Sequence, residues 1–228
     1  MAAANRAKAA ISWSGGKDCA LALLRARAQG VDVRTFVTAC HGDTPTAHAL
    51  PRAWFERQVQ ALGGTWLPFD VPPGGYADAF ATTLAQLRAT GQAAMIFGDI
   101  DLAAHRDWIE PRVRAAGLAP LFPLWGTPRA AVSAEVLASG IHARVITVDL
   151  ARVPAALCGR PYDADFLGEL PAGVCPCGEN GEFHTAVEWM PGMTEAVPLA
   201  IVGTVEEPTR PPLAPGRLAR VRLAGQTP

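Results

Sequence analysis

Lys17 follows Ser14-Gly15-Gly16 and precedes Asp18-Cys19, a combination suited to holding an anion. Two adjacent glycines let the backbone turn tightly and bring its N–H groups close to a ligand. The apolar run 9–13 precedes this loop and the helical pattern 20–25 follows it. A helix that starts there adds unpaired N–H groups and the positive end of its dipole. With the Lys17 ammonium added, the expected guest is a phosphate. The Gly-x-x-x-x-Gly-Lys-Ser/Thr spacing and Gly-x-Gly-x-x-Gly are both absent, so this is a different kind of loop.

A second stretch gathers Glu179, Asn180, Glu182, His184 and Thr185, with Gly178 and Gly181 interleaved. Such side chains can orient a polar substrate, help hold Mg²⁺ or move protons; a solvated polar turn leading into a strand has the same composition. Just before them, Cys175-Pro176-Cys177 could ligate zinc with His184 and one more ligand, form a redox pair, or be structural. Cys19 lies at a helix start, a field that lowers a thiol pKa, although its place in the loop accounts for it without a nucleophilic role. Asp99 ends an apolar run and reads as a ligand or as a helix cap. Arg106 is suited to bidentate anion binding or to an ion pair with Glu110, four residues on. Trp108 and Trp125 read as core. His41, His48 and His142 are isolated and are assigned no chemistry.

These residues need a frame. Up to residue 150 the chain alternates strand and helix patterns: strands near 9–13, 31–38, 65–69, 94–97 and 143–149, helices near 20–29, 52–62, 76–90, 105–116 and 128–139. Pro111 inside one helix predicts a kink, and Pro68 weakens the third strand. Alternation of this kind implies parallel βαβ units with right-handed crossovers, helices on both faces and ligands at the carboxyl ends of the strands. The loop 14–19 and the Gly98-Asp99 turn both follow strands and should share one rim. After about residue 151, Pro and Gly become frequent and short β patterns take over, with 206–216 expected as a loop. Two units follow from this: an α/β domain over 1–150 and a small mixed α+β substrate-binding subdomain over 151–228.

The chain has 228 residues, 50% hydrophobic and 18% charged, with a formal net charge of −1, so no basic field draws it to nucleic acid. Its 5 cysteines fit no regular disulfide framework. The basic N-terminus lacks the apolar run of a signal peptide, and no stretch of about 18 apolar residues suggests a membrane span. A soluble cytoplasmic protein is expected, without nucleic-acid or membrane partners; a homodimer is compatible with the composition.

The loop 14–19 resembles the Ser-Gly-Gly-x-Asp-Ser/Thr loop of the PP-loop ATP pyrophosphatases, with Cys19 where that group usually has a hydroxyl. Residues 177–185, Cys-Gly-Glu-Asn-Gly-Glu-Phe-His-Thr, resemble the signature of the diphthine–ammonia ligase family within it, with Cys175 where Asp usually stands. The run Phe97-Gly98-Asp99-Ile100, His105-Arg106-Asp107-Trp108, Gly117-Leu118 and Pro123-Leu124-Trp125 is similar to the same family, as is Pro51-Arg52-Ala53 with Gln58 and Ala61-Leu62-Gly63. The compact chain looks like the bacterial-type members. The resemblance implies a Rossmann-like sheet of the adenine nucleotide alpha hydrolase type. It also implies a ligase that adenylates a carboxylate with ATP, releases pyrophosphate and lets ammonia displace AMP. Ser14, Gly15, Gly16, Lys17, Asp18 and Cys19 would hold the ATP phosphates, with Asp18 toward Mg²⁺. Asp99, Arg106, Gly178, Glu179, Asn180 and Thr185 would face substrate. Lys17 and Asp18 would act in catalysis, and either Glu182 or His184 would handle the ammonia proton. The partners implied are ammonia and a carboxylate acceptor, a small molecule or a modified protein. The rival readings are an adenine-nucleotide hydrolase without an acceptor and a non-catalytic ATP-binding sensor.

Overall fold

The computed structural model describes residues 7–42, 44–45, 50–209 and 215–225. His48 and part of the expected 206–216 loop lie outside them. The chain runs β1 (Lys8–Ser12), α1 (Lys17–Ala28), β2 (Asp32–His41), β3 (Thr44–Pro45), α2 (Arg52–Ala61), β4 (Thr65–Asp70), α3 (Tyr76–Ala89), β5 (Ala94–Ile96), α4 (Ala103–Ala115), β6 (Ala119–Leu121) and α5 (Arg129–Ala138). There follow β7 (His142–Asp149), α6 (Ala164–Gly168), β8 (Phe183–Trp189), β9 (Ile201–Pro208) and β10 (Arg217–Leu223).

Five strands pair in parallel in the order β4-β2-β1-β5-β6, and β3 adds antiparallel to the end of β2. β1 is central, so both its faces are covered. Ala9 and Ile11 pack with α1, α2 and α5 on one side, and Ala10 packs with Phe80 and Leu84 of α3 and Val113 of α4 on the other. Helices therefore flank the sheet on both faces, as the alternation predicts. Pro68 sits in β4 and Pro120 in β6, the two ends of the parallel order, where a missing N–H is tolerated. Pro111 lies within α4, which runs unbroken to Ala115.

One strand departs from expectation. β7, which the alternation adds to the parallel series, lies instead in a second, antiparallel sheet of order β8-β7-β10-β9. Periodicity marks a strand but not its partner. Val145 and Val148 of β7 are buried together with Val187 of β8 and Val221 of β10, in the same core that receives Leu21 and Leu23 of α1. The second sheet is thereby fastened to the helix that starts at the glycine loop.

Strand order reverses between β1 and β5. The crevice at such a switch point, outside the carboxyl ends of the strands, is where open α/β sheets bind ligands. The loop after β1 is 14–16 and the turn after β5 is Phe97-Gly98-Asp99.

Candidate active site

A cleft of about 690 Å³ opens at this switch point. Ser14, Gly16, Lys17, Asp18 and Cys19 line one side, Gly98 and Asp99 the rim of β5, and Tyr76, Phe80, His105 and Ile109 an aromatic and apolar wall from α3 and α4. Cys177, Gly178, Glu179 and Asn180 of the loop before β8, with His184 and Thr185 of β8, close it from the other side.

The loop is fixed from below. Gly15 has φ of 73°, and a Cβ there would lie 2.9 Å from the Trp54 ring, so only glycine fits. Its carbonyl accepts from Val187 N at 2.8 Å, which ties the loop to β8. Gln58, fully buried on α2, accepts from Trp13 Nε1 at 2.7 Å and donates through Nε2 to the Val187 carbonyl at 2.7 Å. Gln58→Ala strands an indole N–H and a carbonyl in the core. It should lower the unfolding free energy by roughly 2–3 kcal/mol, read from urea denaturation.

Lys17 is 2% exposed. Its Nζ donates to Asp18 Oδ2 at 2.8 Å and to the Cys177 carbonyl, and lies 5.4 Å from the Tyr162 ring centroid and 5.5 Å from that of Phe183. Burial is the largest single influence and opposes its charge, but the Asp18 carboxylate together with Tyr162 and Cys177 outweighs it and holds the ammonium protonated well above the usual lysine range. The Lys17 N–H donates to Thr185 Oγ1 at 3.2 Å. Two bonds of one residue thus join the glycine loop to the segment 177–185, more than 150 residues away in sequence. Gly16 precedes α1 and has no side chain to cap it, which suits the helix start to an anion.

Cys19 donates from Sγ to the Gly16 carbonyl at 3.1 Å and lies 3.4 Å from Ser14 Oγ. Burial pushes its thiol up to about 11, so it stays protonated. The thiol serves the shape of the loop.

The segment 175–182 folds around Glu182. Its carboxylate accepts from Cys175 N at 3.1 Å, Asn180 N at 2.9 Å and Asn180 Nδ2 at 2.9 Å. Burial works against its charge, and these donated bonds prevail and hold it below the usual carboxylate range. Arg129, at the start of α5, clamps the segment from outside. It forks onto both Asp101 oxygens at 2.7 Å and reaches Asn180 Oδ1 at 3.0 Å, while its carbonyl accepts from Cys177 Sγ at 3.0 Å. Tyr162 donates to the Pro176 carbonyl at 2.8 Å. Arg129, Asp101 and Tyr162 carry no sequence signal beyond their residue types.

The cleft face of this segment holds the perturbed groups. Burial, reinforced by the Asp18 carboxylate, lifts Glu179 to about 7 from an ordinary 4.5. His184 lines the cleft with its surface open to solvent; the protein packed around the ring, with Lys17 beside it, lowers it below its ordinary 6.5. The folded state therefore binds a proton at Glu179 more readily than the unfolded chain, and Glu179 costs stability as pH rises from about 4.5 to about 7. His184 has the opposite sign and adds stability as pH rises toward 6.5, an effect its solvent exposure limits. Glu179→Gln should remove the first slope and leave the second, so its urea midpoint relative to the unaltered chain should rise across the upper part of that window.

Of the residues singled out in sequence, Ser14, Gly16, Lys17, Asp18, Cys19, Asp99, Gly178, Glu179, Asn180, His184 and Thr185 line the cleft together. Three lie elsewhere. Gly15 supports the loop from behind. Glu182 is buried beneath its own turn with both oxygens engaged. Arg106 bonds Glu110 at 2.9 Å and stacks 4.7 Å from the Trp125 ring centroid, the local pairing that helix spacing allows. Tyr76 and His105 line the cleft without having been singled out; the signal for His105 is its place in the run 105–108 after the rim turn.

Mg²⁺ fits at Asp18. Its Oδ1 is buried with no hydrogen-bond partner, an oxygen suited to a hard cation that keeps several waters. Among the described residues no group of three or more His, Cys, Asp or Glu is placed to hold a metal alone, and the five cysteines are unlinked. Cys177 and Cys175 instead engage Arg129, so the zinc and redox readings gain nothing. Among the described residues no helix is long and apolar enough to cross a membrane.

No curated protein matches the chain in sequence. Among solved structures, a predicted subunit of tRNA methyltransferase from Methanocaldococcus jannaschii is similar over 61% of this chain and 80% of its own, at 16% identity and a TM-score of 0.43. The family model described as the diphthamide synthase N-terminal domain matches residues 7–120, half of the chain, from β1 into β6. The matched half contains the glycine loop, Gln58 and the Gly98-Asp99 rim. On that match the chain belongs to the diphthamide synthase family, a PP-loop family of ATP-using enzymes.

Proposed function

We propose that the chain is an ATP-dependent amide-forming ligase, in which a carboxylate attacks the α-phosphorus of ATP, pyrophosphate leaves, and ammonia then displaces AMP from the acyl adenylate. The observation that carries this reading is the direct bonding of the phosphate loop to the polar segment 177–185 through Lys17, in one cleft. A protein that only senses ATP has little use for a second polar segment fastened to its phosphate loop.

In this reading the Gly16–Lys17 turn and the start of α1 receive the triphosphate, and Lys17 offsets charge on the departing pyrophosphate. Mg²⁺, when bound, neutralises phosphate charge. Asp18 holds Lys17 with one oxygen and offers the other to the ion. Asn180 and Glu179 meet the acceptor at the mouth of the cleft. The acceptor is a carboxylate that the cleft admits, from a small molecule or a modified side chain.

The test is incubation with Mg²⁺, ATP and ammonium, with and without a metabolite extract. AMP and pyrophosphate that depend on extract support the ligase. Turnover without extract indicates a hydrolase, and binding without turnover across many extracts indicates a sensor; either would displace this reading.

A further inference from the structure

The amide-forming step liberates a proton, and the cleft contains a group built to accept it that is neither Glu182 nor His184. His105 stands in the first turn of α4 and lines the cleft. Its Nδ1 lies 3.1 Å from Asp99 Oδ1. The imidazole is 62% exposed, open to a small nucleophile from solvent, whereas Asp99 is only 17% exposed, in the turn that follows β5. A carboxylate at Nδ1 takes the N–H of the ring and leaves Nε2 to accept. The Tyr76 ring shares this wall.

The other candidates are committed. Both Glu182 oxygens accept backbone or amide N–H groups. His184 lies beside Lys17, whose positive charge opposes protonation of the ring. Glu179 is placed with Asn180 at the acceptor, and burial beside the Asp18 charge keeps it protonated more than an ordinary carboxylate.

We infer that His105, positioned by Asp99, is the general base of the amination step. This rests on the ligase reading above. Ammonia attacks the acyl carbon of the adenylate, the C–N bond forms, the bond from carbon to the phosphate oxygen breaks, and AMP leaves with that electron pair. The nitrogen loses one proton to His105 Nε2, which passes it to solvent.

The two half-reactions separate the possibilities. The probes are Mg²⁺-ATP, labelled pyrophosphate, a metabolite fraction and ammonium chloride, with the full chain. His105→Ala should keep pyrophosphate–ATP exchange within about twofold of the unaltered chain, while ammonium-dependent AMP release slows by about a hundredfold or more. Free imidazole should restore part of that loss, which a merely structural role would not allow. Asp99→Asn should slow the same step to a smaller extent. Calorimetric Mg²⁺-ATP affinity should be unchanged in His105→Ala. Parallel loss of exchange and AMP release, an unaltered AMP release, or a loss that imidazole does not restore would overturn the assignment. Absence of exchange in the unaltered chain with every fraction overturns the ligase reading itself, and this inference with it.

Discussion

Lys17→Met should abolish ATP turnover, lowering kcat/KM by about 10²–10³ or more, the usual cost of removing one preorganised charge that stabilises developing negative charge. Methionine keeps an apolar stem of similar length, and its terminal methyl can take the place of Nζ beside the Tyr162 and Phe183 rings. What is lost is the ammonium. The Cys177 carbonyl then has no Lys17 donor, and Asp18 has no Lys17 counter-charge. An unsatisfied buried carbonyl costs roughly 1–3 kcal/mol, so a moderate fall in stability accompanies the kinetic effect. The two separate experimentally: urea denaturation reads the first, and steady-state kinetics well below the unfolding midpoint reads the second. A variant that unfolds slightly earlier but turns over ATP at the original rate would remove Lys17 from the chemistry.

Gly98→Ala should be as damaging for a different reason. Gly98 lies on the cleft side of β5, and a Cβ there would sit 2.8 Å from Cys19 N and 3.0 Å from the Asp18 carbonyl carbon. Both neighbours are backbone in the first turn of α1, so no rotamer change relieves the clash. Either β5 or the helix start must move, at about 1–3 kcal/mol of overpacking strain. The same movement displaces Lys17 and Asp18 from the triphosphate position. Mg²⁺-ATP affinity measured by calorimetry should fall by at least tenfold, with a lowered urea midpoint. Gly126→Ala is the contrast. Gly126 has positive φ but a Cβ would meet nothing within 4 Å, so its cost is backbone strain remote from the loop.

The sequence carried much of this arrangement, through particular signals. Glycine pairs, apolar runs and helix stops placed the elements of the parallel sheet, and strand-then-turn logic put Ser14–Cys19 and Gly98-Asp99 on one rim. The polar density of 179–185 marked the other side of the cleft. Three things were not legible. The pairing of β7 with β8 and β10 depends on strands up to about 75 residues later, and periodicity is silent about partners. Glu182 and His184 are two residues apart on one run, yet one is a buried knot of hydrogen bonds and the other faces the cleft; composition cannot divide them. Arg129 and Asp101 are an ion pair of distant residues whose role appears only once α5 is packed beside the segment 175–182.

If one cleft joins a carboxylate to the α-phosphate of ATP, that step must run backwards as well as forwards. The most direct measurement is incorporation of labelled pyrophosphate into ATP, with Mg²⁺, an acceptor-containing metabolite fraction and no ammonium. Exchange should require the fraction, persist without ammonium and disappear in Lys17→Met. ADP and phosphate as the products of turnover, or exchange that Lys17→Met leaves intact, would rule out adenylation in this cleft.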